Sequence, residues 1–349
     1  MSCEFFAASN GRGGFVNYFP QVFGEWACDR VFVIKGGPGT GKSRFMRDVA
    51  NAAEARGLGV KYYYCSSDPK SLDGIIIEEM RLGFLDGTPP HVYEPTLAGV
   101  REQIVDLGAF WDERLLFGRK DEIRLLASRK TESYKRAYTL LGAYGGLLDA
   151  EESLVLPFVD KKKMRGAVKR WLHKLPEGEA PAESIGICRG FGMGGRAKLD
   201  TYEKNAQVLF NIADNYRCAH LLLGEIRAEA LKRNMRLRVS FDPVMPTRVD
   251  ALCLCDAGVT FVVGNCGERR INMKRFIDEE GVRSCKDFFK KLENLADETE
   301  SLVEGCFLEV EKYHFELEKI YRENMDFSSL NAYTTQLTKQ IIDFCKVNN

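Results

Sequence analysis

Short apolar runs and segments of helical period alternate along the first part of the chain. Val31-Phe32-Val33-Ile34 is continuous and β-branched at three positions, and Gly36-Gly37-Pro38-Gly39 follows almost at once. That predicts a buried strand running into a tight loop. In residues 43–56, Phe45, Met46, Val49, Ala50 and Ala53 recur at helical spacing, and Gly57 and Gly59 end the helix. Residues 60–65, 75–77 and 82–85 read as three further strands joined through Gly, Asp and Pro. Their order predicts an α/β fold with a parallel sheet. Beyond Leu97, mixed charge at helical spacing predicts two or three long helices over residues 98–150. Residues 175–181, with Pro176 and Pro181, read as a linker. Residues 285–349 again read as helical, with Phe288, Leu292, Leu295, Phe315, Leu317 and Ile320 facing a core.

The recurrence suggests a repeat. Laying Val31 over Val208, an offset of 177 positions, also lays Asp48 over Glu225, Asp73 over Asp250, Phe84 over Phe261 and Gly87 over Gly264. Asp68-Pro69 meets Asp242-Pro243 only after a gap. The expectation is two tandem α/β domains, each with parallel strands followed by long helices. The first spans 1–175 with a helical arm at about 98–174, and the second spans 184–349.

Composition narrows the picture little. Hydrophobic residues make up 45% and charged residues 29%, which excludes a disordered tail or a collagen-like fibre. Fifty basic residues balance fifty acidic ones, so overall charge gives no support to a generic nucleic-acid binder. A basic stretch at 161–174 leaves nucleic acid or an acidic partner open, although Met164, Val168, Trp171 and Leu172 form a stripe suited to inward packing. The eleven cysteines contain no C-x-x-C pair, and free thiols in a reducing compartment are expected. With neither a signal-peptide pattern nor a membrane-length apolar run, the expected location is the cytoplasm.

The chemistry concentrates in Gly36-Gly37-Pro38-Gly39-Thr40-Gly41-Lys42-Ser43, which fits the P-loop pattern G-x-x-x-x-G-K-[ST]. Such a loop wraps a phosphate with backbone N–H groups, and the positive end of the following helix faces the same anion. ATP and Mg²⁺ are the expected ligands. Residues Gly36 to Ser43, with Arg44, would line the nucleotide, Lys42 would reach its phosphates, and Ser43 would ligate the metal. Asp86, ending Leu82-Gly83-Phe84-Leu85, is the expected second metal-side acid. Asp68 is the alternative, and an Asx turn its other explanation. Because Gly87 follows Asp86, the group that would activate water is open among Glu78, Glu79, His91 and Glu94.

In the second repeat Ala219 replaces the lysine, His220 the serine and Val263 the Asp86 carboxylate, while Asp214 stands where a phosphate would lie. The second copy is therefore expected to be degenerate. Arg217, Arg269, Arg270 and Arg275 are candidates to reach the first site from it. Two glycine-rich turns, at 10–14 and 190–196, are read either as anion nests or as simple turns.

Phe5-Phe6-Ala7-Ala8, Gly14-Phe15-Val16-Asn17-Tyr18-Phe19, the P-loop, Cys65-Ser66-Ser67-Asp68-Pro69, Ser71-Leu72-Asp73-Gly74 and the run from Leu85 to His91 resemble an uncharacterised family of duplicated P-loop ATPases from Gram-positive, often spore-forming bacteria. The resemblance covers nearly the whole chain. It implies ATP binding and a tandem architecture but no substrate, and this chain departs from the family in losing the second P-loop. The leading expectation is a Mg²⁺-dependent ATPase whose single site drives or gates the helical arms, through which a protein partner could be engaged. A small-molecule kinase and a non-catalytic nucleotide-gated protein are the alternatives.

Overall fold

The computed structural model describes residues 3–264 and 269–344, so Cys266, Cys345 and the last five positions of the predicted C-terminal helix lie outside the described residues. The first half runs β1 (Cys3–Phe6), β2 (Ala8–Gly11), β3 (Gly14–Asn17), α1 (Phe19–Val22), β4 (Arg30–Lys35), α2 (Lys42–Glu54), β5 (Val60–Tyr64), β6 (Leu72–Ile77), β7 (Leu82–Asp86), β8 (Glu102–Asp106), α3 (Glu113–Gly118), α4 (Lys120–Val155) and α5 (Lys161–Leu172). The second half repeats that order as β9 (Ala182–Ile185), β10 (Arg189–Gly192), β11 (Gly195–Lys198), α6 (Thr201–Lys204), β12 (Val208–Ala213), α7 (Ala219–Lys232), β13 (Arg236–Phe241), β14 (Val249–Leu254), β15 (Val259–Val263), β16 (Arg270–Asn272), α8 (Glu279–Arg283), α9 (Lys286–Glu323) and α10 (Phe327–Phe344).

The two halves build the same sheet among the described residues, each six-stranded, in the orders β1-β5-β6-β7-β4-β8 and β9-β13-β14-β15-β12-β16. The sheets are mixed, not parallel as the sequence pattern suggested. β4 lies parallel to β7 and β8, but β6 lies antiparallel to both β5 and β7. The turn from β6 to β7 is too short for a parallel crossover, which needs a dozen or more residues, so the two strands form a hairpin. The expected all-helical stretch also begins later, because residues 102–106 form edge strand β8 beside β4.

The halves interlock through their helices. α4 and α9 pack along each other, with Leu141, Tyr144 and Leu148 meeting Val303 and Phe307. Each half's last helix crosses to the other sheet. Met164, Val168 and Leu172 of α5 join the core with Leu222, Ile226 and Leu252 of the second half. Leu330, Ile341 and Ile342 of α10 join Phe45, Met46 and Val49 of the first. Burying each such side chain contributes roughly 1.5–3 kcal/mol, so the exchange binds the halves firmly. The basic stretch at 161–174 therefore packs its apolar stripe inward. The glycine-rich turns are the hairpins β2-β3 and β10-β11, which dock reciprocally: Met193 N–H donates to Ser67 O and Arg12 N–H to Val244 O, both at 2.9 Å. Among the described residues no helix is long and apolar enough to cross a membrane.

Candidate functional site

Strand β4 ends at Lys35, and the chain turns through Gly36 to Gly41 before α2 opens at Lys42. Gly41 caps α2 with φ +81°, a left-handed conformation suited to glycine. Gly39 (φ +74°) is needed for a second reason, since a Cβ there would come within 2.5 Å of Arg322 Cγ and 3.0 Å of Glu318 O. The loop is thus roofed by α9 of the other half.

A cavity of about 1090 Å³ opens beside this loop. All of Gly36 to Arg44 line it, together with Asp68, Asp73, Asp86, His91 and Asp106. Lys42 Nζ donates to Gly36 O and Gly37 O at 2.8 Å and stands 3.5 Å from Asp86 Oδ2. Asp86 Oδ1 accepts from Thr88 N at 2.9 Å and Thr88 Oγ1 at 2.5 Å, which holds the carboxylate in place at the end of β7. Asp86 stands opposite Ile34 in the parallel register, so its carboxylate lies at the loop end of the sheet. Ser43 Oγ accepts from Leu72 N at 3.0 Å. Asp68 also faces the cavity, and its Oδ1 accepts from Lys70 N at 3.2 Å in the turn geometry named as the alternative for it.

Several candidates fall elsewhere. Glu78 pairs with Lys61 at 2.5 Å and Glu79 accepts from Gly59 N, both in the turn before β7. β7 runs parallel to β4, so that turn lies at the far end of the sheet from the loop. Glu94 is an exposed partner of Lys35 at 3.8 Å and does not line the cavity. Of the four proposed water-activating groups only His91 is in place, 3.4 Å from Asp73. Arg217 is held by Glu151 at 2.5 Å, and Arg269 and Arg275 lie over Phe210 and Phe276. None of these arginines, nor Arg270, lines the cavity.

What the sequence reading missed comes from the long helices and from β8. Lys130 of α4 and His314, Glu318 and Arg322 of α9 complete the cavity wall, and Trp111 covers Gly37. Asp106 ends β8 on the other side of β4 from Asp86; the short run Ile104-Val105 before it was its only signal. Burial acts on the basic groups of this wall. Burial and then the charge of Lys42 lower Lys130, and burial followed by Lys130 brings His314 down to about 4. The lining carries acids as well, Asp68, Asp73, Asp86, Asp106 and Glu318 beside Lys42, Arg44, Lys130 and Arg322, so basic groups and oxygen donors face the same space.

The equivalent loop of the second half is closed by its own carboxylate. Asp214 accepts from Tyr216 N at 3.2 Å, Cys218 N at 3.0 Å and Ala219 N at 2.7 Å, and so caps the start of α7. His220, at the serine position, meets Glu152 of α4 at 3.2 Å. Among the described residues no side chain accepts from the amides of Gly37 to Ser43 in that way.

Asp250 in the second half is wholly buried, and burial pushes its carboxyl up to about 6. A carboxyl raised in the native state stabilises the fold fully below its ordinary 3.8, and that contribution is lost as pH rises through about 6. His314 works in the opposite sense, because its lowered value favours the fold at higher pH and is lost as pH falls towards 4. Comparing wild type with Asp250→Asn isolates the carboxyl. The stability advantage of wild type should shrink by on the order of 2–3 kcal/mol between pH 4 and 7. Urea unfolding at both pH values checks it, and a difference independent of pH would contradict it. The chain matches no protein-family model, no curated protein and no solved structure.

Proposed function

We propose that the first half binds ATP with Mg²⁺ and hydrolyses it at a single site, and that the state of the phosphates is passed to the helices that cross between the halves. One observation carries this reading. A glycine loop between a buried strand and a helix presents amides and Lys42 to a cavity that also holds metal-suited carboxylates, while the same place in the second half holds a built-in carboxylate, Asp214. Lys42 would exchange its two carbonyl partners for phosphate oxygens. Ser43 and Asp86, with Asp68 as the alternative, would hold Mg²⁺, which supplies charge neutralisation between the phosphates. The residues fit that ion, since Ser43 and Asp86 are oxygen donors lining the same cavity, and Asp86 is already oriented by Thr88.

Coupling to the helices follows from the roof. Gly39 touches the segment of α9 that carries Glu318 and Arg322, so a ligand that moves the loop must move α9 or be gripped by it. Arg322→Ala is expected to slow phosphate release roughly tenfold while changing ATP affinity less than threefold, if its guanidinium meets charge developing on the transferred group. Turnover equal to wild type would remove Arg322 from the mechanism. Phosphoryl transfer to a small acceptor is a second reading, favoured by the size of the cavity beyond the loop and by the Asp73–His91 pair within it. Calorimetry of the full chain with ATP and Mg²⁺ decides the common premise: one equivalent bound supports it, and no heat of binding ends it.

A further inference from the structure

A second ligand-binding feature lies in the same cavity, apart from the glycine loop. Cys65 follows β5, Asp73 lies in β6, and His91 follows the turn after β7; one potential ligand atom from each falls within 4.8 Å of the others. Asp73 and His91 are 3% and 7% exposed, and Asp73 Oδ2 and His91 Nδ1 have no hydrogen-bond partner, a costly condition for buried polar atoms. The placement is built into the sheet. Tyr63 pairs with Gly74 and Tyr64 with Leu72, which leaves Asp73 as the extra residue of a β-bulge, a device that re-aims a side chain. Phe15 and Phe19 pack on the His91 ring at 5.0 and 5.2 Å and fix its plane.

The equivalent bulge of the second half also buries a carboxylate whose oxygens lack a hydrogen-bond partner, but it differs in the charge beside it. Ser240 pairs with Ala251 and Phe241 with Val249, so Asp250 is the bulged residue there. Arg189, the first residue of β10, stands 3.6 Å from its carboxylate and supplies a cation from within the chain. The first residue of the equivalent β2 is Ala8, which has no charge to offer. The strand registers place Cys65, not Asp68, at the position of Asp242, so the first half adds a thiol there.

We propose that Cys65, Asp73 and His91 bind a divalent transition-metal ion, of which Zn²⁺ fits best. Thiolate, imidazole and carboxylate together select Zn²⁺ over Mg²⁺, which prefers oxygen alone. Ligand atoms around a tetrahedral zinc lie roughly 3.5 Å apart, and the His91 Nε2 to Asp73 Oδ2 distance is already 3.4 Å. Binding releases the Cys65 thiol proton and leaves a fourth position facing the cavity, where water or a ligand oxygen can coordinate. The site shares no residue with the Ser43 and Asp86 metal position in the same cavity and does not depend on nucleotide.

The test uses the full chain, reduced and stripped with chelator, titrated with Co²⁺ alone in place of Zn²⁺. The expected result is one equivalent bound with a thiolate-to-cobalt charge-transfer band and visible bands of four-coordinate geometry, displaced by Zn²⁺. Cys65→Ser should abolish the charge-transfer band. His91→Gln should weaken binding by roughly tenfold or more, since even residues that only orient a metal ligand cost that much. Cys253→Ser with Cys255→Ser, a close thiol pair in the second half, should leave the spectrum unchanged. Circular dichroism establishes which variants fold, and where one of the two ligand variants does not, the other decides. No charge-transfer band at one equivalent, a band that survives Cys65→Ser, or a band lost only with Cys253 and Cys255 overturns the proposal. No nucleotide is present, so a failure here leaves the P-loop reading untouched.

Discussion

Lys42→Ala is expected to weaken ATP binding about a hundredfold and to bring phosphate release to background, with the fold retained. The ammonium group makes two hydrogen bonds to loop carbonyls and stands beside Asp86. In the proposed ATP complex, those contacts would be replaced by charged contacts to phosphate. Hydrogen bonds to charged groups are worth about 1.5–3 kcal/mol each, and a net loss near 3 kcal/mol corresponds to about a hundredfold in affinity. The variant also leaves Asp86, largely buried, without its nearest cation, so some loss of thermal stability should accompany the loss of binding. Lys42→Arg separates the two effects. It keeps the charge beside Asp86 but replaces a compact ammonium with a planar fork that the narrow loop does not accommodate. It should therefore restore stability more than affinity. Calorimetry and thermal melting of the three proteins provide both readouts, and an affinity within threefold of wild type for Lys42→Ala would remove the loop from the function.

The loop and its helix were legible because their signals are local. Val31 to Ile34, the glycines and the stripe from Phe45 to Ala53 need only their own neighbours to declare a strand, a turn and a helix. The repeat was legible for the same reason, and the offset that lays Asp73 over Asp250 pairs two bulged residues of equivalent strands. Strand direction was not, because β6 and β7 have the same apolar composition whichever way they run, and only the short turn between them requires a hairpin. β8 was hidden because Glu102, Gln103 and Asp106 leave only Ile104 and Val105 as an apolar run, too short to declare a strand. The helix exchange and the roof over the loop depend on contacts between segments far apart in the chain. Nothing near Arg322 indicates that Gly39 lies beneath it. The Cys65, Asp73 and His91 group was invisible for a related reason: their spacing follows no metal motif, and it takes the bulge to bring them together.

Asp214→Ala should destabilise the protein by roughly 3–5 kcal/mol without creating a second nucleotide site. The Asp214 carboxylate accepts from three backbone N–H groups at the start of α7 and interacts with the positive end of that helix. Removing it leaves three donors to find water, in a place where a helix cap alone is worth up to about 2 kcal/mol and charged hydrogen bonds add to that. Asp214→Asn keeps one carbonyl acceptor and loses the charge, so its loss should be about half as large. Neither variant can hold a triphosphate firmly, because Ala219 stands where Lys42 stands in the first half and His220 is engaged with Glu152. Inorganic phosphate, however, is an oxyanion that can accept from the same amides. Millimolar phosphate should therefore raise the melting temperature of Asp214→Ala more than that of wild type, by mass action on the freed amides. Urea unfolding gives the first quantity and melting with and without phosphate the second. A loss below 1 kcal/mol would mean that the carboxylate is not what closes the second loop.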